Sequence, residues 1–331
     1  MRKSKFIHCI DSHTAGEPTR LVIDGLPVIK GNNLKQKTKY FSNKLDNYRS
    51  ILTGEPRGHA PMHAAIYIPS NSKKSDFGLI LMSALGYSDM CGHALIGSIT
   101  SLINSKKLSF KKSKNLIKIE TCAGIITVTT NWNKKNIESI SFVNQKSFSI
   151  KEDFIINIPE YGKFTVNFAY GGLWYIIVNS KEIGIKIEKK NLNKLIIAGK
   201  KIRMKINSRI DKIKSKIQLP EKFPQTLFFD EINSKYGRNF VTSDELGFDR
   251  SPCGTGCCAR LALMYSQGKI KEKQNYIQKS IIDTSFNTRI VKVSKNGNIL
   301  PEITGSAYIT GINKIYLDPH DTIKNGFFLY S

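Results

Sequence analysis

Among the side chains of this chain that could move a proton at neutral pH, the cysteines sit in the most informative contexts. The stretch Asp249-Arg250-Ser251-Pro252-Cys253-Gly254-Thr255-Gly256 runs straight into Cys257-Cys258-Ala259-Arg260-Leu261-Ala262-Leu263-Met264. Pro252 and the two glycines punctuate the backbone before a run that is apolar nearly all round, the pattern of a loop turning into a buried helix. Cys253 is therefore expected at or just before a helix N-terminus. Free N–H groups and the positive end of the macrodipole favour an anion there, and draw a thiol from about 8.5 toward neutrality. The same N–H groups can hold a carboxylate. Gly268, after Ser266-Gln267, is the expected C-terminal stop.

Upstream, Met90-Cys91-Gly92-His93 leads into Ala94-Leu95-Ile96-Gly97-Ser98-Ile99, a second Cys-Gly turn opening an apolar helix. The recurrence implies an internal duplication with one thiol from each half. A lone buried Cys is more often a small core hydrophobe than a nucleophile; the shared context singles out Cys91 and Cys253. Cys9, Cys122, Cys257 and Cys258 are assigned to the core. One thiolate and one thiol on opposite faces of a carbon acid can remove a Cα proton and return another from the far side, inverting the centre.

The elements that must position these thiols are mostly strands. Residues 6 to 10 and 20 to 30, 64 to 69, 78 to 82, a pair within 115 to 131 around Ala123-Gly124, and 140 to 144 read as strands in the first half. The run from Phe168 to Val178 begins the second half, residues 190 to 217 read as an amphipathic helix over a sheet, and Leu227-Phe228-Phe229 opens a further strand. Strands dominating each half, with one apolar helix in each, predict an α+β fold of curved sheets wrapped around core helices.

At this point the chain resembles a known family. Met90-Cys91-Gly92-His93 and Asp249 to Gly256 look like the two catalytic signatures of the proline racemase family, which includes 4-hydroxyproline epimerases and trans-3-hydroxyproline dehydratases. Asp11 to Arg20, Glu55-Pro56-Arg57-Gly58-His59 and Thr304 to Gly311 resemble further family blocks in the same order. The resemblance implies the two-domain fold of diaminopimelate epimerase with the site in the interdomain cleft. It places residues 1–145 in an N-terminal domain with the Cys91 helix, joined by about 310–331, and residues 146–309 in a C-terminal domain with the Cys253 helix. It also implies catalytic roles for Cys91 and Cys253, and substrate contacts for Gly92, His93, Asp249, Gly254 and Thr255, with Asp249 facing the substrate ammonium.

No cofactor is expected. The ring nitrogen of proline is a secondary amine and cannot form the ordinary imine with pyridoxal phosphate, so the carbanion must be stabilised through its carboxylate by fixed donors. Dehydratases of the family typically carry Thr at the second cysteine, so Cys253 favours a racemase or epimerase. The stretch Gly86 to Ala94 and the Gly305-Ser306-Ala307-Tyr308 strand have a dehydratase-like character, and Pro224-Gln225 stands where epimerases often carry His. A non-catalytic, proline-binding protein is the rival from another class.

A chain of 331 residues suits two domains, each with its own core. Its formal charge of +25 raises the question of nucleic acid. The excess is mostly scattered Lys, at 106–107, 111–112, 134–135, 189–190 and 200–201, without an Arg-rich reading helix, so a solvated surface is expected and nucleic acid is not. Nothing resembles an export signal or a membrane span, which leads to a cytoplasmic protein with reduced thiols. The expected partner is a small-molecule substrate, proline or hydroxyproline, with a homodimer admitted as the assembly. No metal is expected: Cys253, Cys257 and Cys258 lack a zinc-knuckle spacing, and His8, His59, His63 and His320 lack ligand spacing. His13 and His59 are assigned to shaping the site.

Overall fold

The computed structural model describes residues 6–70, 74–107, 115–133, 136–150, 152–211, 219–243 and 247–329. The anticipated Lys111-Lys112 and Lys134-Lys135 pairs, and residues 212–217 of the expected amphipathic helix, lie outside these residues. The chain divides into two compact units, residues 1–142 with 305–331, and residues 143–304.

In chain order the first unit carries β1 (Phe6–Thr14), β2 (Glu17–Asp24), α1 (Leu34–Lys44), α2 (Asn47–Thr53), β3 (His63–Pro69), β4 (Phe77–Ser83), β5 (Gly86–Ser88), α3 (Gly92–Asn104), β6 (Leu116–Thr121), β7 (Gly124–Asn133) and β8 (Asn136–Val143). The second carries β9 (Phe148–Ser149), β10 (Phe154–Ile158), β11 (Gly162–Tyr170), β12 (Trp174–Asn179), α4 (Leu192–Asn207), β13 (Gln225–Glu231), β14 (Tyr236–Ser243), α5 (Gly254–Ser266), β15 (Asn275–Lys279), β16 (Ser285–Val293) and β17 (Ile299–Gly305). The last strand, β18 (Ala307–Tyr316), belongs to the first unit and pairs antiparallel with β1.

In the first unit β1 lies between β18 and β2, β2 runs parallel to β3, and β4 pairs antiparallel with β3 and parallel with β6. The two-residue alternation of β1 decides what goes where. Ile7 and Cys9 join Phe41, Tyr48, Ile51 and Leu52 of α1 and α2 in one core. Ser12 and Thr14 have the opposite parity and meet α3, which packs on β1, β2, β3 and β18. A Cβ at Gly97 of α3 would come within 2.9 Å of Ser12 Oγ and 3.3 Å of Thr14 Oγ1, so only glycine lets the helix sit this close. On the Ile7 face, Arg20 forks onto Asp11 through Nε and Nη2, each at 2.9 Å, and its Nη1 donates to the carbonyls of Leu52 and Arg57. Asn313 of β18 donates to the same carboxylate. The family-like blocks at residues 11–20 and 55–59 thus meet through one buried guanidinium.

In the second unit the run from Phe168 to Val178 is continuously apolar because both its faces are covered. Phe168, Ile176 and Val178 pack with Leu195, Ala198, Ile202 and Ile206 of α4. Ala169, Tyr175 and Ile177 pack with Cys253, Ala259 and Leu263 at α5. Helix α4 spans Leu192–Asn207, and its buried positions recur at helical spacing as the sequence predicts. Helix α5 ends where Gly268 predicts. Gly268 takes φ +70°, its N–H donates to Tyr265 O, and the Lys269 N–H donates to Met264 O, the paired bonds of a Schellman stop. In each unit a sheet therefore surrounds one buried 13-residue helix, α3 or α5, the α+β arrangement expected.

Gly171, at the turn between β11 and β12, fixes how closely α5 approaches. A Cβ there would lie 2.2 Å from Thr255 O and 2.4 Å from Ala259 N, which are backbone atoms that cannot swing aside. Gly171→Ala is expected to push α5 off the sheet and cost about 2–3 kcal/mol or more. Denaturant unfolding checks this; an unchanged midpoint would contradict the packing described.

Candidate active site

Cys91 is the N-cap of α3, with extended backbone (φ −141°, ψ 111°) and no capping bond from its side chain. Its carbonyl accepts from Leu95 N–H at 2.9 Å, so the helix begins at once and leaves the N–H groups of Gly92, His93 and Ala94 without an intrahelical acceptor. Gly92 packs tightly on Phe142, since a Cβ there would come within 3.0 Å of the ring. The imidazole of His93 lies beside the half-buried thiol, Nδ1 at 3.4 Å and Nε2 at 3.7 Å from Sγ. Thr14 Oγ1 donates to His93 O at 2.8 Å and ties this first turn to β1. Burial holds His93 well below the usual histidine range, and His63 adds to that shift. A neutral imidazole can either donate to a thiolate or accept from a thiol.

His63, at the start of β3, packs edge-on against His93 with ring centroids 4.3 Å apart. Its Nδ1 sits 3.0 Å from Pro61 O, and because a carbonyl only accepts, that nitrogen carries the proton and Nε2 is left with its lone pair. Ligand-type atoms of His63, Cys91 and His93 all lie within 4.8 Å of one another. The sequence spacing assigns His63 no ligand role; the fold brings it to the thiol.

In the second unit Cys253 is the N-cap of α5, and its carbonyl accepts from Cys257 N–H at 2.7 Å. It takes φ 64° and ψ 109°, a region that a residue with a Cβ rarely enters and that costs about 1–3 kcal/mol. What holds it is a chain of short-range bonds. Asp249 Oδ1 accepts from Ser251 N–H at 2.7 Å, and Ser251 Oγ accepts from Cys253 N–H at 3.0 Å. Gly256 leaves room for the thiol, since a Cβ there would stand 3.2 Å from Sγ. The Tyr175 hydroxyl reaches Cys253 Sγ at 3.3 Å and Thr255 Oγ1 at 2.7 Å. A Cβ at Gly254 would meet only Ile303 Cδ1 at 3.5 Å, an ordinary contact.

The structure thus groups Cys91, Gly92 and His93 at one helix start, and Asp249, Cys253, Gly254 and Thr255 at another. Two neighbours, His63 and Tyr175, escape sequence reasoning because strands bring them from 28 and 78 positions away. Tyr175 offers no signal beyond lying in an apolar strand; His63 offers only its place in the block after His59. One electrostatic expectation is overturned. The helix start should draw the Cys253 thiol down, yet burial, reinforced by the negative charge of Asp249, pushes it up, against the bonds from Tyr175, the Gly256 N–H and Thr255. Desolvation outweighs the helix end in this state, and Cys253 is held as a thiol. Burial also raises Cys9 and Cys258, each to about 12, which fits their assignment to the core.

A family profile described as Proline racemase matches residues 9–328. A proline racemase of Acetoanaerobium sticklandii is 38% identical over 338 residues, covering 99% of both chains. A trans-3-hydroxy-L-proline dehydratase of Bacillus thuringiensis is 35% identical over 335 residues, covering 99% of this chain and all of the relative. The crystal structure of a hydroxyproline epimerase from Agrobacterium vitis, with bound trans-4-hydroxy-L-proline, superposes with a TM-score of 0.82 at 26% identity, over 99% of this chain and 97% of that one.

The backbone of Cys253 leads to a stability measurement. Removing the thiol as Cys253→Ala keeps the unfavourable φ, whereas Cys253→Gly removes it along with the side chain. Cys253→Gly should be the more stable of the two by about 1 kcal/mol, the reverse of the usual Ala-over-Gly order. Urea unfolding of both variants decides it; Ala being the more stable would show that the cap is unstrained.

Proposed function

We propose, from the premise that this chain belongs to the proline racemase family and is an amino-acid racemase or epimerase, that it inverts Cα of proline or 4-hydroxyproline with Cys91 and Cys253 as paired acid and base. The observation that carries this reading is the shared seating of the two thiols, each the N-cap of a buried 13-residue helix. Binding alone has no use for two such thiols. Proton transfer at a carbon acid needs both.

Each residue then has a task. The N–H groups of Gly92 and His93 at one helix start, and of Gly254 and Thr255 at the other, offer fixed donors to the substrate carboxylate, where charge accumulates as Cα loses its proton. Asp249 answers the substrate ammonium. That cation would also offset the charge by which Asp249 raises the Cys253 thiol, so substrate binding itself eases ionisation there. Tyr175 and Thr255 position the Cys253 sulfur, and His93 answers the Cys91 sulfur in either protonation state. The thiolate on one face takes the Cα proton, the thiol on the other delivers its own, and the roles exchange with substrate handedness. No imine is formed, in keeping with a ring secondary amine.

Dehydration of trans-3-hydroxy-L-proline is the second reading, favoured by the 35% identical dehydratase. Losing the 3-hydroxyl requires a base on one face of Cα only and would leave Cys253 without a task, so inversion is preferred. The same account places the enzyme in the cytoplasm, where thiols stay reduced. Among the described residues no helix is long and apolar enough to cross a membrane.

Single Cys→Ser variants separate these activities. A serine hydroxyl is too weak an acid and base at neutral pH, so Cys253→Ser and Cys91→Ser should each lose inversion by about 10²–10⁴-fold. With Cys91 facing the L-enantiomer, Cys253→Ser still exchanges the Cα proton of the L-substrate in heavy water, and Cys91→Ser does not. Polarimetry and mass spectrometry read the two events. Near-wild-type racemisation by Cys253→Ser would refute the two-thiol assignment, and turnover of trans-3-hydroxy-L-proline alone would favour the dehydratase.

A further inference from the structure

We infer that His63, Cys91 and His93 form a binding site for a divalent metal ion of the zinc class, and that an ion held there switches the enzyme off by occupying the Cys91 sulfur. The binding rests on geometry alone; the inhibition rests on the two-thiol reading of the reaction.

Three features carry the site. First, the donor set is right: two imidazole nitrogens and one thiolate suit zinc or cobalt, and three protein ligands leave a fourth position for water. Second, the donors already converge. Their ligand atoms lie within 4.8 Å of one another, with Sγ to His93 Nδ1 at 3.4 Å. A tetrahedral zinc site with bonds of about 2.0–2.3 Å has ligand-to-ligand edges of about 3.5 Å. Shifts of about 1 Å, within reach of side-chain rotation, close the triangle.

Third, the support behind the ligands is in place. His63 donates from Nδ1 to Pro61 O at 3.0 Å, the outer bond that fixes a metal-binding histidine in one tautomer and leaves Nε2 its lone pair. Thr14 holds the His93 backbone by its bond to the carbonyl. All three ligand residues are half-buried rather than sealed, so an ion can reach them.

The exchange balances simply. The S–H bond of Cys91 breaks, its proton goes to solvent, and the sulfur lone pair forms the bond to the metal, while the imidazoles bind through neutral nitrogens. No oxidant or reductant is involved. A sulfur so engaged cannot accept the Cα proton, so the ion acts as an inhibitor that a chelator removes.

The test uses the whole protein, first stripped with EDTA and then titrated with Co²⁺ as an absorbing stand-in for Zn²⁺. Wild type and Cys253→Ala should bind one cobalt with a thiolate-to-metal charge-transfer band. Cys91→Ala should lose the band. His63→Phe, which keeps a ring against His93, should weaken binding by more than about 100-fold, the upper end of what losing even an outer-shell partner costs. Alkylation of wild type needs no variant: Zn²⁺ should slow iodoacetamide labelling of Cys91 by more than about tenfold and leave Cys253 unchanged. A band that survives in Cys91→Ala, no band at stoichiometric cobalt in wild type, or protection of Cys253, Cys257 or Cys258 instead would overturn the site. Stripped protein that shows the band yet exchanges no Cα proton supports the site while refuting the racemase reading. Stripped protein that racemises, with no cobalt band, does the reverse.

Discussion

A helix that is buried must still have its first N–H groups answered, and here both core helices start on a cysteine, which answers them poorly. Asp, Asn, Ser or Thr in the cap position of α3 or α5 would bond those donors and contribute about 0.5–2 kcal/mol. At both places a cysteine stands instead, and its sulfur is a weak acceptor. The donors remain available to an anion, and the sulfur remains available to a proton. On the proposed reading, stability forgone at two helix starts becomes a carboxylate cradle with a titratable group beside it.

Much of the remaining structure keeps those two starts where they are. Gly97 lets α3 lie against the hydroxyls of Ser12 and Thr14, and Gly171 lets α5 lie against a turn of backbone. The Arg20 guanidinium ties Asp11, Leu52 and Arg57 together, and with them the opening strand, the end of α2 and the loop after it. At Cys253 the relay from Asp249 through Ser251 holds a backbone conformation that the residue would not choose. These contacts account for Asp, Ser, Gly and Arg in the family-like blocks without giving each a chemical role.

The two helix starts were legible because local rules write them: a Cys-Gly turn, an apolar run at helical length, and Gly268 as a stop. Strand positions are largely legible from apolar runs, though β1 extends to Thr14, beyond the expected residue 10, because its polar residues Asp11, Ser12 and His13 are held by pairing with β2 and β18, while β2 ends at Asp24 before Gly25 (φ +93°) and does not run on to residue 30. What lay out of reach was proximity across strands. Tyr175 reads as one more core aromatic until β12 sets its hydroxyl beside Cys253, and His63 reads as a stray histidine until β3 sets it against His93. The ionisation of Cys253 departs from what its helix start implies for a related reason. The helix start is a local feature and visible in sequence, whereas burial is a sum over neighbours and is not.

On the proposed reading, the desolvation that keeps Cys253 protonated gives the two thiols distinct duties at the start of a turnover, one giving and one taking. The fate of the Cα hydrogen in heavy water reports on that division directly. In the early part of the reaction of L-proline or trans-4-hydroxy-L-proline with the wild-type protein, the account predicts that the inverted product carries one deuterium at Cα while the unreacted substrate carries little. Protium retained in the product, or deuterium appearing in the recovered substrate as fast as inversion proceeds, would mean that a single group serves both faces and would contradict the pairing of Cys91 with Cys253.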